Sequence, residues 1–162
     1  MYRFATPLAL VLLATTAAVA QDPVMIKEIE VEVDLDAVVN PEAAARYGTL
    51  ATDLEGAISA RLVDRIDEDG MNLTVDISEA ELSNSFTEAL GIADTKLVGD
   101  VKIAGDTSNA LDNVYTLTVS IEQVRLFFPE GTDETSLSVS SDEYYASLIA
   151  AFADAVAVRV DD

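Results

Sequence analysis

The sequence predicts an α+β domain, a two-layer sandwich. A roughly four-stranded mixed sheet carries two helices on one face, in the order β-α-β-β-β-α. Three observations lead there. Several segments alternate strictly between apolar and polar residues, the period of a strand. Two others repeat large apolar residues every three or four positions, the period of a helix. Finally, the strands alternate where a sheet covered on both faces would read as continuous apolar runs. One face of this sheet is therefore expected to be open to water.

The first strand is EIEVEVDLD, Glu28 to Asp36. Ile29, Val31, Val33 and Leu35 face one way, and Glu28, Glu30, Glu32, Asp34 and Asp36 the other. Asn40 and Pro41 then suit an N-cap and a first helical position. Tyr47, Leu50, Leu54, Ile58 and Leu62 carry the helix toward Gly70. MNLTVDIS, residues 71–78, alternates again, so the first half reads as a parallel crossover. Leu82, Phe86 and Leu90 suggest a short helical turn within residues 79–95. KLVGDVKIA (96–104) and VYTLTVSIEQVRLF (114–127) form the expected antiparallel hairpin. Ser140 and Glu143 have the spacing of a capping box. The last helix follows, with Tyr145, Leu148, Ile149, Phe152 and Val156 as its apolar stripe.

The first twenty residues read as a secretory signal. Arg3 precedes an apolar run, and Ala18-Val19-Ala20 forms a small-residue cleavage site. Residues 21–162 are then one domain, and the expected location is periplasmic or secreted. All thirty acids lie past residue 20, but only eight of the nine basic residues do, because Arg3 is in the leader. The net charge of the exported part is therefore 8 − 30 = −22. Such a surface repels nucleic acid and anionic lipid and favours cations and cationic partners. The chain has no cysteine, which excludes thiolate zinc sites and cysteine nucleophiles. It has no histidine, so the usual general base is absent. No Gly-rich phosphate loop or nucleophile elbow is present. The expectation is a protein that is not an enzyme and needs no cofactor, with a carboxylate-dependent hydrolase as a distant third reading.

Three surfaces stand out for binding. The acidic row Glu28, Glu30, Glu32, Asp34 and Asp36 suits a basic protein partner or a divalent cation. Phe86 and Leu90 mark the 79–95 segment as a second contact region. An edge strand could accept a partner strand. Asp67, Glu68 and Asp69 are the alternative calcium ligands. They do not make a helix-loop-helix calcium site, because Arg65 stands where the first ligand belongs. At the end of a helix these acids also oppose its dipole. Ala44, Gly48, Thr52, Gly56 and Ala60 form a small-residue stripe, as do Ala146, Ala150, Ala153 and Ala157. Either the two helices pack closely, or a small face supports weak self-association.

The order of elements after a secretory leader resembles small cell-envelope domains of bacteria, such as the N-terminal domain of the translocation protein TolB. LSNSFTEALGIADTKLVGDV, Leu82 to Val101, is similar to a segment of uncharacterised small secreted bacterial proteins. These resemblances imply an envelope accessory or binding domain and bring no functional residue with them. The leading expectation is an exported, non-catalytic binding or accessory module. The alternative is a low-affinity binder of divalent cations such as calcium.

Overall fold

A bulge opens β1 (Ile26–Glu32). In this computed structural model, which describes residues 23–79, 81, 95–105 and 113–161, Ile26 pairs with Met71 and Glu28 with Asn72. Lys27 is the extra residue, and an extra residue resets the alternation. Ile26 and Val31 are therefore both buried, with Ile29 half-buried between them. The strand ends at Glu32, short of the expected Asp36. Beyond it a turn forms, in which the Ala37 N–H donates to the Asp34 carbonyl at 3.0 Å.

The first expected helix is interrupted. Asn40 caps α1 (Pro41–Arg46), its Oδ1 accepting from the N–H groups of Glu42 at 2.9 Å and Ala43 at 3.2 Å. Tyr47 ends α1, and α2 (Leu50–Arg61) starts after Thr49. The apolar stripe survives the break, for Tyr47, Leu50, Leu54, Ile58 and Leu62 are all buried. A 3-10 turn, Val63–Arg65, ends the helical stretch. Arg61 and Arg65 stand at this end, as the helix dipole favours, with Asp64 between them. The DEDG acids belong to the turn that follows. There the Asp67 N–H donates to the Ile26 carbonyl at 2.9 Å, and the Gly70 N–H to the Asp67 carbonyl at 3.0 Å. A Cβ on Gly70 would lie 2.7 Å from the Ile26 carbonyl carbon, so this turn needs glycine.

The remaining strands are β2 (Met71–Ile77), β3 (Lys96–Ala104) and β4 (Asn113–Ser120). The sheet order is β1-β2-β3-β4. β1 and β2 are parallel, and the two other pairs are antiparallel. The crossover and the hairpin are thus both present. The last strand stops at Ser120 instead of continuing to Phe127. Gln123 Oε1 accepts the Ser120 N–H at 2.8 Å, and the Ser120 hydroxyl donates to Glu122 at 2.5 Å. The chain turns there into α3 (Ile121–Val124) and a 3-10 turn, Arg125–Phe127. Ile121 and Val124 are buried at helical spacing, so the apparent alternation past Ser120 is incidental.

The long helix α4 (Asp142–Asp161) packs on β3 and β4 and beside α2, while α2 packs on β1. Helices and sheet enclose one core. Gly99 of β3 lets α4 approach, since a Cβ there would meet Phe152 Cζ at 3.1 Å. Tyr144, not the expected Tyr145, is the fully buried tyrosine, and its hydroxyl donates to Thr95 Oγ1 at 2.5 Å. Ser140 is not the cap; its hydroxyl meets that of Ser138 at 2.9 Å, and the helix begins two residues later. Of the small residues, Gly48, Thr52, Gly56 and Ala60 face solvent, whereas Ala153 is buried. Arg61 crosses the helix pair, donating to the Ala150 carbonyl at 2.8 Å. Among the described residues no helix is long and apolar enough to cross a membrane. The expected leader, Phe86 and Leu90 lie outside the described residues.

Candidate functional site

The helices leave one sheet face open. On it β1 presents Glu28, Glu30 and Glu32, all exposed. Pairing register decides what stands beside them. Glu28 lies opposite Asn72, Glu30 opposite Thr74, and Glu32 opposite Asp76. Asp76 in turn lies opposite Asp100, and Asp100 opposite Thr116. Glu32, Asp76 and Asp100 therefore form a row of three carboxylates across three adjacent strands. Directly opposite residues have Cβ atoms about 5 Å apart. Alternate residues along one strand are about 7 Å apart. The densest negative charge thus runs across the sheet, not along EIEVEVDLD.

Compensation within the row is small. The Thr116 hydroxyl donates to Asp100 Oδ1 at 2.6 Å. Among the described residues no basic side chain lies within ion-pair distance of Glu32, Asp76 or Asp100. Lys102 is separated from Glu30 by Thr74. Arg125 is engaged with Glu134 at 2.8 Å.

Of the sequence-derived row, Glu28 and Glu30 share the open face without joining the cross-strand row, and two members lie past the strand altogether. Asp34 and Asp36 follow β1 in the turn, because the strand ends at Glu32. The Asp34 N–H donates to Glu79 Oε1 at 3.0 Å, and the Asp36 N–H to Asp34 Oδ1 at 3.1 Å. Two other members escape a reading of the sequence. Asp76 is visible as an outward residue of MNLTVDIS, and Asp100 sits in KLVGDVKIA, but only register places them opposite Glu32 and each other.

A cation cage needs six to eight oxygens converging on one point. The row is linear. Among the described residues no group of three or more acids, histidines or cysteines is arranged to hold a metal ion. Asp67, Glu68 and Asp69 occupy a tight turn in which Asp67 Oδ1 accepts the Asp69 N–H at 2.8 Å. One oxygen of that carboxylate is thereby held by the backbone.

The geometry defines a small α+β domain with a carboxylate-lined sheet face. No family model, curated protein or solved structure matches the chain.

Proposed function

We propose that this chain is an exported, non-catalytic binding module of the bacterial cell envelope, and that its open sheet face holds a cationic protein partner. The observation that carries this reading is the cross-strand row Glu32–Asp76–Asp100. Like charges directly opposite one another destabilise a sheet. A solvated face kept only for solubility has no reason to align them. Lysine or arginine side chains of a partner would relieve that repulsion on docking, and would speed encounter with a chain of this charge. Export rests on the leader-like first twenty residues, and the envelope assignment on the resemblance in element order.

The test is binding of a lysine-rich peptide to the purified chain by calorimetry, beside the triple variant Glu32→Gln, Asp76→Asn, Asp100→Asn. The reading expects saturable binding that weakens at least tenfold in the triple variant. It fails if the triple variant binds as well as the parent, or if a variant with three exposed acids neutralised elsewhere, at Asp64, Asp67 and Glu68, loses as much.

A further inference from the structure

The two edges of the sheet are built differently. The outer edge of β1 is guarded in several ways that natural sheets use against strand addition. Lys27 forms a bulge, and Glu28, Glu30 and Glu32 line the strand. Glu55 of α2 accepts the Val31 N–H at 3.2 Å, and Glu79 accepts the Asp34 N–H just past the strand's end. β4 has less of this: of its backbone N–H groups, that of its last residue, Ser120, is met by a side chain, Gln123 Oε1 at 2.8 Å. Its eight residues, NVYTLTVS, include no charge and no proline. Its pairing with β3 runs from Lys96–Ser120 to Ile103–Asn113 without a register shift. Among the described residues no strand pairs with its outer edge. Val114 is 62% exposed on the open face, and Tyr115 and Leu117 are only half-buried on the helix face. An added strand would cover apolar surface on both sides.

We propose that β4 is a self-association edge, on which β4 of a second copy of this chain pairs antiparallel to make a continuous eight-stranded sheet. Charge selects that occupant. In a two-fold pairing each copy presents the same residues to the other, so any net charge on the edge repels itself. β4 presents none. The open face is also graded. Glu28, Glu30, Glu32 and Asp76 place four negative charges on β1 and β2, whereas on β3 Lys102 offsets Asp100 and Lys96 is paired with Glu81 at 2.8 Å, leaving that side near neutral. Pairing through β4 puts the two β1 strands at opposite ends of the sheet. They are then seven strand spacings of about 4.8 Å apart, about 34 Å in all. That exceeds the Debye length of about 8 Å at physiological salt, so the acidic edges barely sense each other. A strongly basic partner strand would gain little at this edge. The dimer leaves both acidic rows accessible and does not depend on their function.

The test is sedimentation equilibrium of the purified chain from micromolar to submillimolar concentration, at 0.05 and 0.5 M sodium chloride. The expected result is a reversible monomer–dimer equilibrium that tightens at the higher salt, where repulsion between the two negative copies is screened. The variant Val114→Lys/Thr118→Lys puts charge on two exposed edge positions and should weaken the dimer at least tenfold, with an unchanged circular dichroism spectrum. The variant Thr52→Lys/Ser59→Lys adds the same charge to the exposed side of α2 and should dimerise at least as well as the parent. A parent that stays monomeric throughout at 0.5 M salt overturns the proposal. So does a dimer that survives Val114→Lys/Thr118→Lys unchanged, or one that both lysine pairs weaken equally.

Discussion

The Tyr145 hydroxyl donates to Asp53 Oδ2 at 2.7 Å, joining α4 to α2 across 92 residues of chain. The same carboxylate oxygen accepts the Thr49 hydroxyl at 2.6 Å. Arg46 stacks on the Tyr145 ring at 4.4 Å and donates to the Ser141 carbonyl at 3.0 Å. The Tyr47 ring also lies beside that of Tyr145, with centroids 6.3 Å apart. The junction between α1 and α2 is thereby fastened to the start of α4. This clamp holds both helices on one side of the sheet and leaves the opposite face open. Removing the hydroxyl with Tyr145→Phe should cost about 1–2 kcal/mol, because the acceptor is charged and the site half-buried. Tyr145→Ala should cost more, since the Arg46 stack goes too. Urea denaturation checks both, with a lower midpoint at an unchanged slope as the expected result.

Alkaline pH should loosen the same region. Burial pushes Tyr145 up to about 12, and likewise Tyr144 and Tyr115 to about 12, from the ordinary phenol value of 10.0. Burial raises Tyr47 as well. A folded pKa above the unfolded one means that the folded state holds its protons longer. Stability from these groups is therefore complete below pH 10 and is lost as pH climbs from about 10 to about 12. Tyrosinate absorbance at 295 nm should rise together with loss of helical circular dichroism in that window. Phenolates titrating near pH 10 in a chain that stays folded would contradict the burial described here.

Two glycines should respond to alanine with opposite signs. Gly70→Ala forces a Cβ against the Ile26 backbone, which has no flexible side chain to move aside. It should destabilise by about 1–3 kcal/mol. Gly56 lies inside α2, and a Cβ added there would have nothing within 4 Å. Gly56→Ala should stabilise by about 0.5–1 kcal/mol through helix propensity. Thermal melts of the two variants beside the parent decide it.

The carboxylate row has a stability signature of its own. Asp76 lies directly between Glu32 and Asp100. Asp76→Asn should raise the unfolding free energy by about 0.5 kcal/mol at low salt. The gain should shrink as salt shortens the screening length to about 3 Å at 1 M. Equal melting of parent and variant at low salt would mean that the three carboxylates do not repel one another.

What local pattern controls is legible in the residues. Alternation marks β1, β2 and β3 and tells the open face from the buried one. The stripe from Tyr47 to Leu62 predicts the buried side although the helix breaks at Gly48, because burial follows the stripe and not the hydrogen-bond ladder. Expectation and structure part where a local bond overrides the period. Gln123 turns the chain at Ser120 although Ile121 and Glu122 still alternate, and the turn at Asp34 ends β1 while Leu35 keeps its rhythm. Register is not legible, since nothing in MNLTVDIS or KLVGDVKIA says that Asp76 and Asp100 will stand opposite each other. The site is a cross-strand feature, and a pattern read along one strand finds only its first member, Glu32.

The most direct test of the central claim is nuclear magnetic resonance of the 13C-labelled chain during titration with a lysine-rich peptide, following the side-chain carboxyl carbons. A cationic docking face predicts saturable shifts concentrated at Glu32, Asp76 and Asp100. Carboxylates on other surfaces, such as Glu130 and Asp154, should stay nearly still. Small, unsaturated shifts of equal size at all exposed acids would show that the peptide senses only net charge, and the row would then be no binding site.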